Sequence, residues 1–232
     1  MFNHFGLKAN NNNEHLENYI KAQKLLIKKG STRLLKTHSS LFEINNIRFT
    51  DLDCSRGVIY IVRDPRNVVS SFAYHFLTSI KDATNHLING HSIGEPTESI
   101  GVQHTGSWSF NYNSWKKLDF DNKYILLKYE DLISKKKSTI LKVLKFLEKL
   151  GLKFKLNMVK LNKSLKSTEF NIMRGLEQKE TFFEASIDYE TGKRKPFFNL
   201  GPKNDWRKLL DEKNKLRIEK AFNKEMNELG YL

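Results

Sequence analysis

The run Gly57 to Phe76, GVIYIVRDPRNVVSSFAYHF, most narrows what this 232-residue chain can fold into. A glycine followed by the apolar residues Val58 to Val62 predicts a parallel strand covered on both faces. Asp64 is placed to cap a following helix, predicted over Pro65 to Ser79. Pro65 suits the first helical position, where a missing N–H has no intrahelical partner to lose. Arg63 then lies at the carboxyl end of a strand and beside a helix N-terminus, where open α/β sheets bind phosphorylated ligands. An isolated arginine is most often half of a structural ion pair. The strand–Arg–Asp–Pro–helix setting favours anion binding instead.

The rest of the chain alternates in the same way. Residues 1–13, ending in the asparagine run Asn10 to Asn13, have no period and read as a loop or frayed end. Glu14 to Lys29 carries Leu16, Tyr19, Ile20, Leu26 and Ile27 at helical spacing, with Gly30 as the stop. Arg33 to Thr37 reads as a short strand. Ile80 to Gln103, holding Gly90, Gly94 and Pro96, reads as a mobile connection over the site. Ser107 to Lys117 reads as a helix with Trp108 and Trp115 on one face, and Lys123 to Tyr129 as a second buried strand. Helices are expected over Ser138 to Leu150, Leu156 to Ser167 and Glu212 to Leu229. Strands alternating with helices predict a parallel α/β sheet, and the length suits one domain, spanning residues 14–232.

Composition narrows the partners. Forty Lys and Arg against 26 Asp and Glu give a net charge of +14, which attracts polyanions without choosing among them. Lys142, Lys145 and Lys149 read as a solvated helix face, and no interleaved aromatic–basic pattern is present, so nucleic acid is not the expected partner. One cysteine, Cys54, excludes an internal disulfide and a thiol cluster for zinc, and no metal is expected. No stretch approaches about 18 apolar residues, and the N-terminus has no apolar signal region, so no membrane span and a cytoplasmic setting are expected.

Five further segments stand in a definite order around Arg63: Lys36-Thr37-His38; Gly106-Ser107-Trp108 with Trp115; Tyr129-Glu130-Asp131; Ser167 to Met173, STEFNIM; and Pro196 to Arg207, PFFNLGPKNDWR. Together they resemble the sulfotransferases that use 3′-phosphoadenosine 5′-phosphosulfate (PAPS), over roughly residues 14–232. The matching signatures are KTH, an Arg with a Ser eight residues on, GSW…W, a strand-end tyrosine, TSFxxM and a glycine loop followed by GDWK. The resemblance implies a P-loop-NTPase-like parallel sheet flanked by helices. It implies transfer of a sulfuryl group from PAPS to a hydroxyl or amine of a small-molecule or glycan acceptor. His38 would be the general base and Lys36 the stabiliser of charge on the leaving phosphate. Arg63 and Ser71 would grip the 3′-phosphate. Tyr129, Thr168 and Phe170 would surround the adenine, and Gly201 would belong to the closing loop. A histidine suits the base because its ordinary pKa is about 6.5. Glu130 and Asp131, as neighbours pointing different ways, read as capping or hydrogen-bonding groups. His4, His15, His86, His91 and His104 read as surface histidines, and His75 as packed against a neighbouring element.

The chain departs from the pattern in two places. Asn199 and Leu200 stand where the family has a basic pair before the glycine, with Lys203 or Lys193 to Lys195 as substitutes. Nothing in residues 1–35 matches the PKSGTTW-type loop that cradles the 5′-phosphosulfate, so a domain truncated ahead of that point is expected. The alternative function is a non-catalytic remnant that binds 3′-phosphoadenosine nucleotides, or an interaction module.

Overall fold

The computed structural model describes residues 3–28, 32–93, 102–179, 182, 185–188 and 191–232. In chain order these form α1 (Asn12–Lys28), β1 (Glu43–Ile44), β2 (Ile47–Arg48), β3 (Val58–Val62), α2 (Pro65–His75) and α3 (Ile80–Asn89). There follow β4 (His91–Ile93), β5 (Gln103–Gly106), α4 (Trp108–Lys116), β6 (Tyr124–Lys128), α5 (Tyr129–Ser134) and α6 (Lys136–Lys149). The chain ends with α7 (Met158–Ser167), α8 (Phe170–Lys179), α9 (Trp206–Leu209), α10 (Glu212–Ala221) and α11 (Asn223–Glu228). β3 and β6 pair as the parallel strands of an α/β fold, while β1–β2 and β4–β5 pair antiparallel.

The chain divides into two compact units, one of residues 1–62, 86–127 and 145–152, the other of residues 63–85, 128–144 and 153–232. In the first, Leu16, Tyr19 and Ala22 of α1 pack with Phe42, and Ile44, Ile47 and Phe49 of the β1–β2 hairpin lie against them. Asn45 and Asn46 join the hairpin with φ of 52° and 60°, the left-handed pair a two-residue turn requires. The asparagine run is a helix cap: Asn11 Oδ1 accepts from the Glu14 N–H (3.0 Å), and Glu14 reaches back to the Asn10 N–H (2.8 Å). Gly57 is set by close approach, since a Cβ there would lie 2.9 Å from the Lys123 carbonyl that accepts from the Val58 N–H.

In the second unit α2 packs on α9 and α10, and Val69, Ala73, Ile218, Phe222, Met226 and Leu229 are buried. Asp64 caps α2 through the Arg66 N–H (2.9 Å), and Pro65 opens the helix. Arg66, 5% exposed, forks onto Asp64 (2.8 Å), pairs with Glu219 (2.6 Å), donates to the Tyr231 carbonyl (2.7 Å) and stacks on Trp206 (4.1 Å).

Several expectations are corrected. The strand expected over residues 33–37 does not form: residues 32–38 are irregular and exposed, with no neighbouring strand among the described residues to supply a ladder. β3 is not covered on both faces, because Ile61 is 56% exposed and Val58, Ile59 and Tyr60 are half-buried. An apolar run fixes the strand but not how many layers cover it. The connection expected over residues 80–103 contains α3 and β4. α3 buries Ala83, Thr84 and Leu87 and ends at Asn89, so Gly90, at φ 85°, stops a helix there instead of marking the whole stretch as a loop. α2 stops at His75, before Leu77 at φ 54°, and the last expected helix breaks into two at Phe222. His15 is buried and His91 and His104 are half-buried, where surface positions were expected. Gly30, Gly94, Pro96, Phe183 and Tyr189 lie outside the described residues.

Candidate functional site

Within the second unit, Arg63 and Ser71 come together. Two turns of α2 bring Ser71 to the level of the strand end, and Arg63 Nη1 donates to Ser71 Oγ at 3.3 Å. The guanidinium lies 4.3 Å above the ring of Tyr129, so one face of that tyrosine is already occupied. Arg63 makes no ion pair among the described residues, and its Nε is buried without a hydrogen-bond partner. Burial pushes the guanidinium pKa down, against the raising influence of Tyr129, Glu130 and Asp64. A structural arginine does not ordinarily carry an orphaned donor, which costs about 1–3 kcal/mol. Glu130 accepts from the Asp64 N–H (3.2 Å) and from the Tyr231 hydroxyl (3.0 Å), the hydrogen-bonding role expected for it.

The segments from Ser167 to Trp206 close around the same elements. Thr168 ends α7, and its hydroxyl donates back to the Ser164 carbonyl (2.9 Å), which leaves it only as an acceptor. Its own carbonyl accepts from Lys136 Nζ (2.8 Å). Phe170 opens α8 and fills the space beside Gly201: at φ +52°, a Cβ on Gly201 would lie 2.1 Å from the Phe170 ring. Glu177 accepts the N–H groups of Phe197 (2.5 Å) and Phe198 (3.0 Å), fixing the turn that leads to Asn199 and Leu200. Asn204, 7% exposed, bridges Asn67, Ser70 and Ser71. Of the expected substitutes for the basic pair, Lys195 is engaged by Asp188 (3.8 Å), whereas Lys203 is exposed and makes no ion pair among the described residues.

Lys36 and His38 belong to the first unit, on exposed irregular chain. The buried part of this segment begins one residue later. Ser39 and Ser40 are buried; the Ser40 N–H and hydroxyl both donate to the His104 carbonyl at 2.9 Å, and Trp115 Nε1 donates to the Ser39 carbonyl at 3.0 Å. Asn111 Nδ2 donates to the carbonyls of His38 (3.1 Å) and Thr105 (2.8 Å), while its Oδ1 accepts from Tyr60 of β3 (3.0 Å). The GSW helix is thus structural in a specific way: Ser107 caps it through the Phe110 N–H, and it then anchors the backbone at His38. Asn111, Glu177 and Asn204 were missed by sequence reasoning, because an asparagine or a glutamate on a helix or loop carries no local signature of what it will reach. His75 is packed as expected, its carbonyl accepting from Ser186 (2.5 Å) and its ring edge-on to Phe197. Among the described residues no cluster of three or more His, Cys, Asp or Glu could hold a metal ion.

Comparisons with known proteins bear on the family and the fold. Sulfotransferase 1E1 of Rattus norvegicus is 28% identical over 220 residues, covering 93% of this chain and 68% of the relative. The Homo sapiens protein of that name is 25% identical over 218 residues, covering 91% and 68%. Retinol dehydratase, solved in a complex with retinol and PAP (3′-phosphoadenosine 5′-phosphate), matches the fold with a TM-score of 0.61 at 19% identity, covering 87% of this chain and 56% of that one. Mouse sulfotransferase SULT7A1, solved with PAP, gives a TM-score of 0.52 at 20% identity, covering 74% and 58%. The chain therefore spans about two thirds of these sequence relatives and less of the solved structures. The family model described as "Sulfotransferase domain" matches residues 7–230, nearly the whole chain, and on that match the chain belongs to the sulfotransferase family.

Proposed function

We propose that this protein transfers a sulfuryl group from PAPS to a hydroxyl or amine of a small-molecule acceptor, within a sulfotransferase-like domain spanning residues 14–232. The observation that carries the proposal is the Arg63–Ser71 pair: a guanidinium with an orphaned Nε and no carboxylate partner among the described residues, stacked on Tyr129 and bonded to a hydroxyl. Those residues fit a nucleotide 3′-phosphate, because a phosphate takes several charge-assisted hydrogen bonds from such groups. PAPS, when bound, supplies the activated sulfuryl group. Arg63 and Ser71 hold the 3′-phosphate, and Lys203 is the cation that stands in for the basic pair absent at Asn199 and Leu200. The free face of Tyr129, the acceptor oxygen of Thr168 and the ring of Phe170 border the adenine, with Gly201 keeping the loop close to that ring. His38 removes the acceptor's proton, and Lys36 stabilises negative charge as the bond to sulfur breaks. The aromatic pair Phe182 and Phe197 supports an apolar acceptor. The composition, with a single cysteine, supports a cytoplasmic setting, and the sheet supports a P-loop-like ancestry for the nucleotide side.

Calorimetric titration with PAP, followed by a labelled-sulfate assay over phenol and alkanol acceptors, tests the proposal. PAP is expected to bind, Arg63→Ala to weaken it by at least about tenfold, and His38→Ala to abolish transfer while leaving PAP binding intact. Absence of PAP binding would sink the proposal. Binding without transfer to any acceptor would favour the non-catalytic nucleotide binder.

A further inference from the structure

Ser71 Oγ receives two hydrogen bonds, and both run one way. Arg63 Nη1 donates to it at 3.3 Å, and a guanidinium nitrogen can only donate. Asn204 Nδ2 donates to it at 2.8 Å. The orientation of that amide is fixed by its other neighbours. The same Nδ2 lies 2.9 Å from the Asn67 carbonyl, which can only accept and so fixes the nitrogen on that side, leaving Asn204 Oδ1 2.8 Å from Ser70 Oγ, whose one hydrogen is shared between it and the Asn67 carbonyl at 3.1 Å. Asn67 is held in turn, since its Oδ1 accepts from the Trp206 N–H at 2.8 Å. Both hydrogens of the Asn204 amide are therefore used, and both lone pairs of the Ser71 hydroxyl are filled. What remains on Ser71, an exposed residue, is one O–H hydrogen with no acceptor among the described residues.

We propose that Asn204 is a positioning residue that makes Ser71 a one-way donor, committed to an acceptor oxygen and most strongly to an anionic one. The proposal rests on the nucleotide-binding function above and extends it to how this chain selects the 3′-phosphate. A serine free to turn can give or take a hydrogen bond and discriminates weakly. One whose lone pairs are saturated from inside the protein can only give. Asn204 is buried, so it sets this polarity without meeting the ligand. It stands where the GDWK pattern has glycine, in a loop whose basic pair is replaced by Asn199 and Leu200. The chain thus gains donor polarity at the position where it lacks charge.

The test is titration of the full chain with PAP and with adenosine 5′-phosphate, which lacks the 3′-phosphate. Wild type is compared with Asn204→Gly, Asn204→Ala, Ser71→Ala and the Ser71→Ala/Asn204→Ala double variant. Wild type is expected to prefer PAP. Either Asn204 variant is expected to lose about tenfold in PAP affinity, stay within about twofold for adenosine 5′-phosphate, and add nothing once Ser71 is alanine. Equal losses for both nucleotides, an unchanged preference, or additive effects would overturn the role of Asn204 and leave the proposed function standing. A wild type that binds neither nucleotide overturns the function itself and this inference with it. Should neither Asn204 variant fold, the side-chain amide protons of Asn204 in folded wild type are expected to exchange slowly and to shift in Ser71→Ala. Fast exchange with no shift would remove the bond on which the inference rests.

Discussion

Asn111 does for His38 what no neighbour in sequence does. It binds the His38 carbonyl and reaches β3 through Tyr60, so the backbone carrying the proposed base is tied to that strand by one amide. Asn111→Leu keeps the size of the side chain and removes all three bonds. It is expected to lower kcat by about 10- to 100-fold through misplacement of the base, with PAP affinity unchanged; steady-state kinetics beside a PAP titration checks this. Arg63 and Ser71 were legible in the sequence because strand, turn and helix are local, and a spacing of eight on a helix fixes their proximity. The bond that anchors the His38 backbone was not legible. Asn111, Glu177 and Asn204 act across 73, 20 and 133 positions, and no window of sequence contains both ends of such a bond.

At the scale of elements, the start of α2 is held by Arg66, which gathers Asp64, Glu219, the Tyr231 carbonyl and the face of Trp206. Arg66→Met retains most of the volume but strands two carboxylates, one of them buried. Urea denaturation is expected to show a loss of about 3–5 kcal/mol, and an Arg66→Met/Asp64→Asn variant should recover part of it. The cap at Asp64, the proline at the first turn and the stripe of α10 were all readable, because propensity and burial agree there. The segment at residues 33–37 misled, since a short apolar pair cannot make a strand where no partner strand lies alongside among the described residues. α3 escaped notice because Gly90, the residue that stops it, was read together with Gly94 and Pro96 as the mark of a loop across the whole stretch.

At the scale of the molecule, acid sensitivity is built into the first unit. Burial holds the pKa values of His91 and His104 below the ordinary 6.5. The unfolded chain therefore binds more protons than the folded one as pH falls through 6.5, and stability is lost in that direction, being full above it. The melting temperature is expected to drop between pH 7 and pH 5, with amide exchange rising first in β4 and β5. His104→Asn should flatten the slope, and a pH-independent melting curve would contradict the account. The division into two units was not readable from composition, because the chain crosses between them at positions, such as Val62 to Arg63, that lie inside continuous local motifs. The cation stacking at Trp206 has one further outcome. Its indole lies 4.1 Å from one guanidinium and 4.6 Å from another, and its backbone is joined through Asn67 to the amide that feeds Ser71. The other two tryptophans belong to the first unit, so tryptophan emission from the second unit comes from Trp206 alone, and it is expected to change on titration with PAP, the proposed ligand of Arg63 and Ser71.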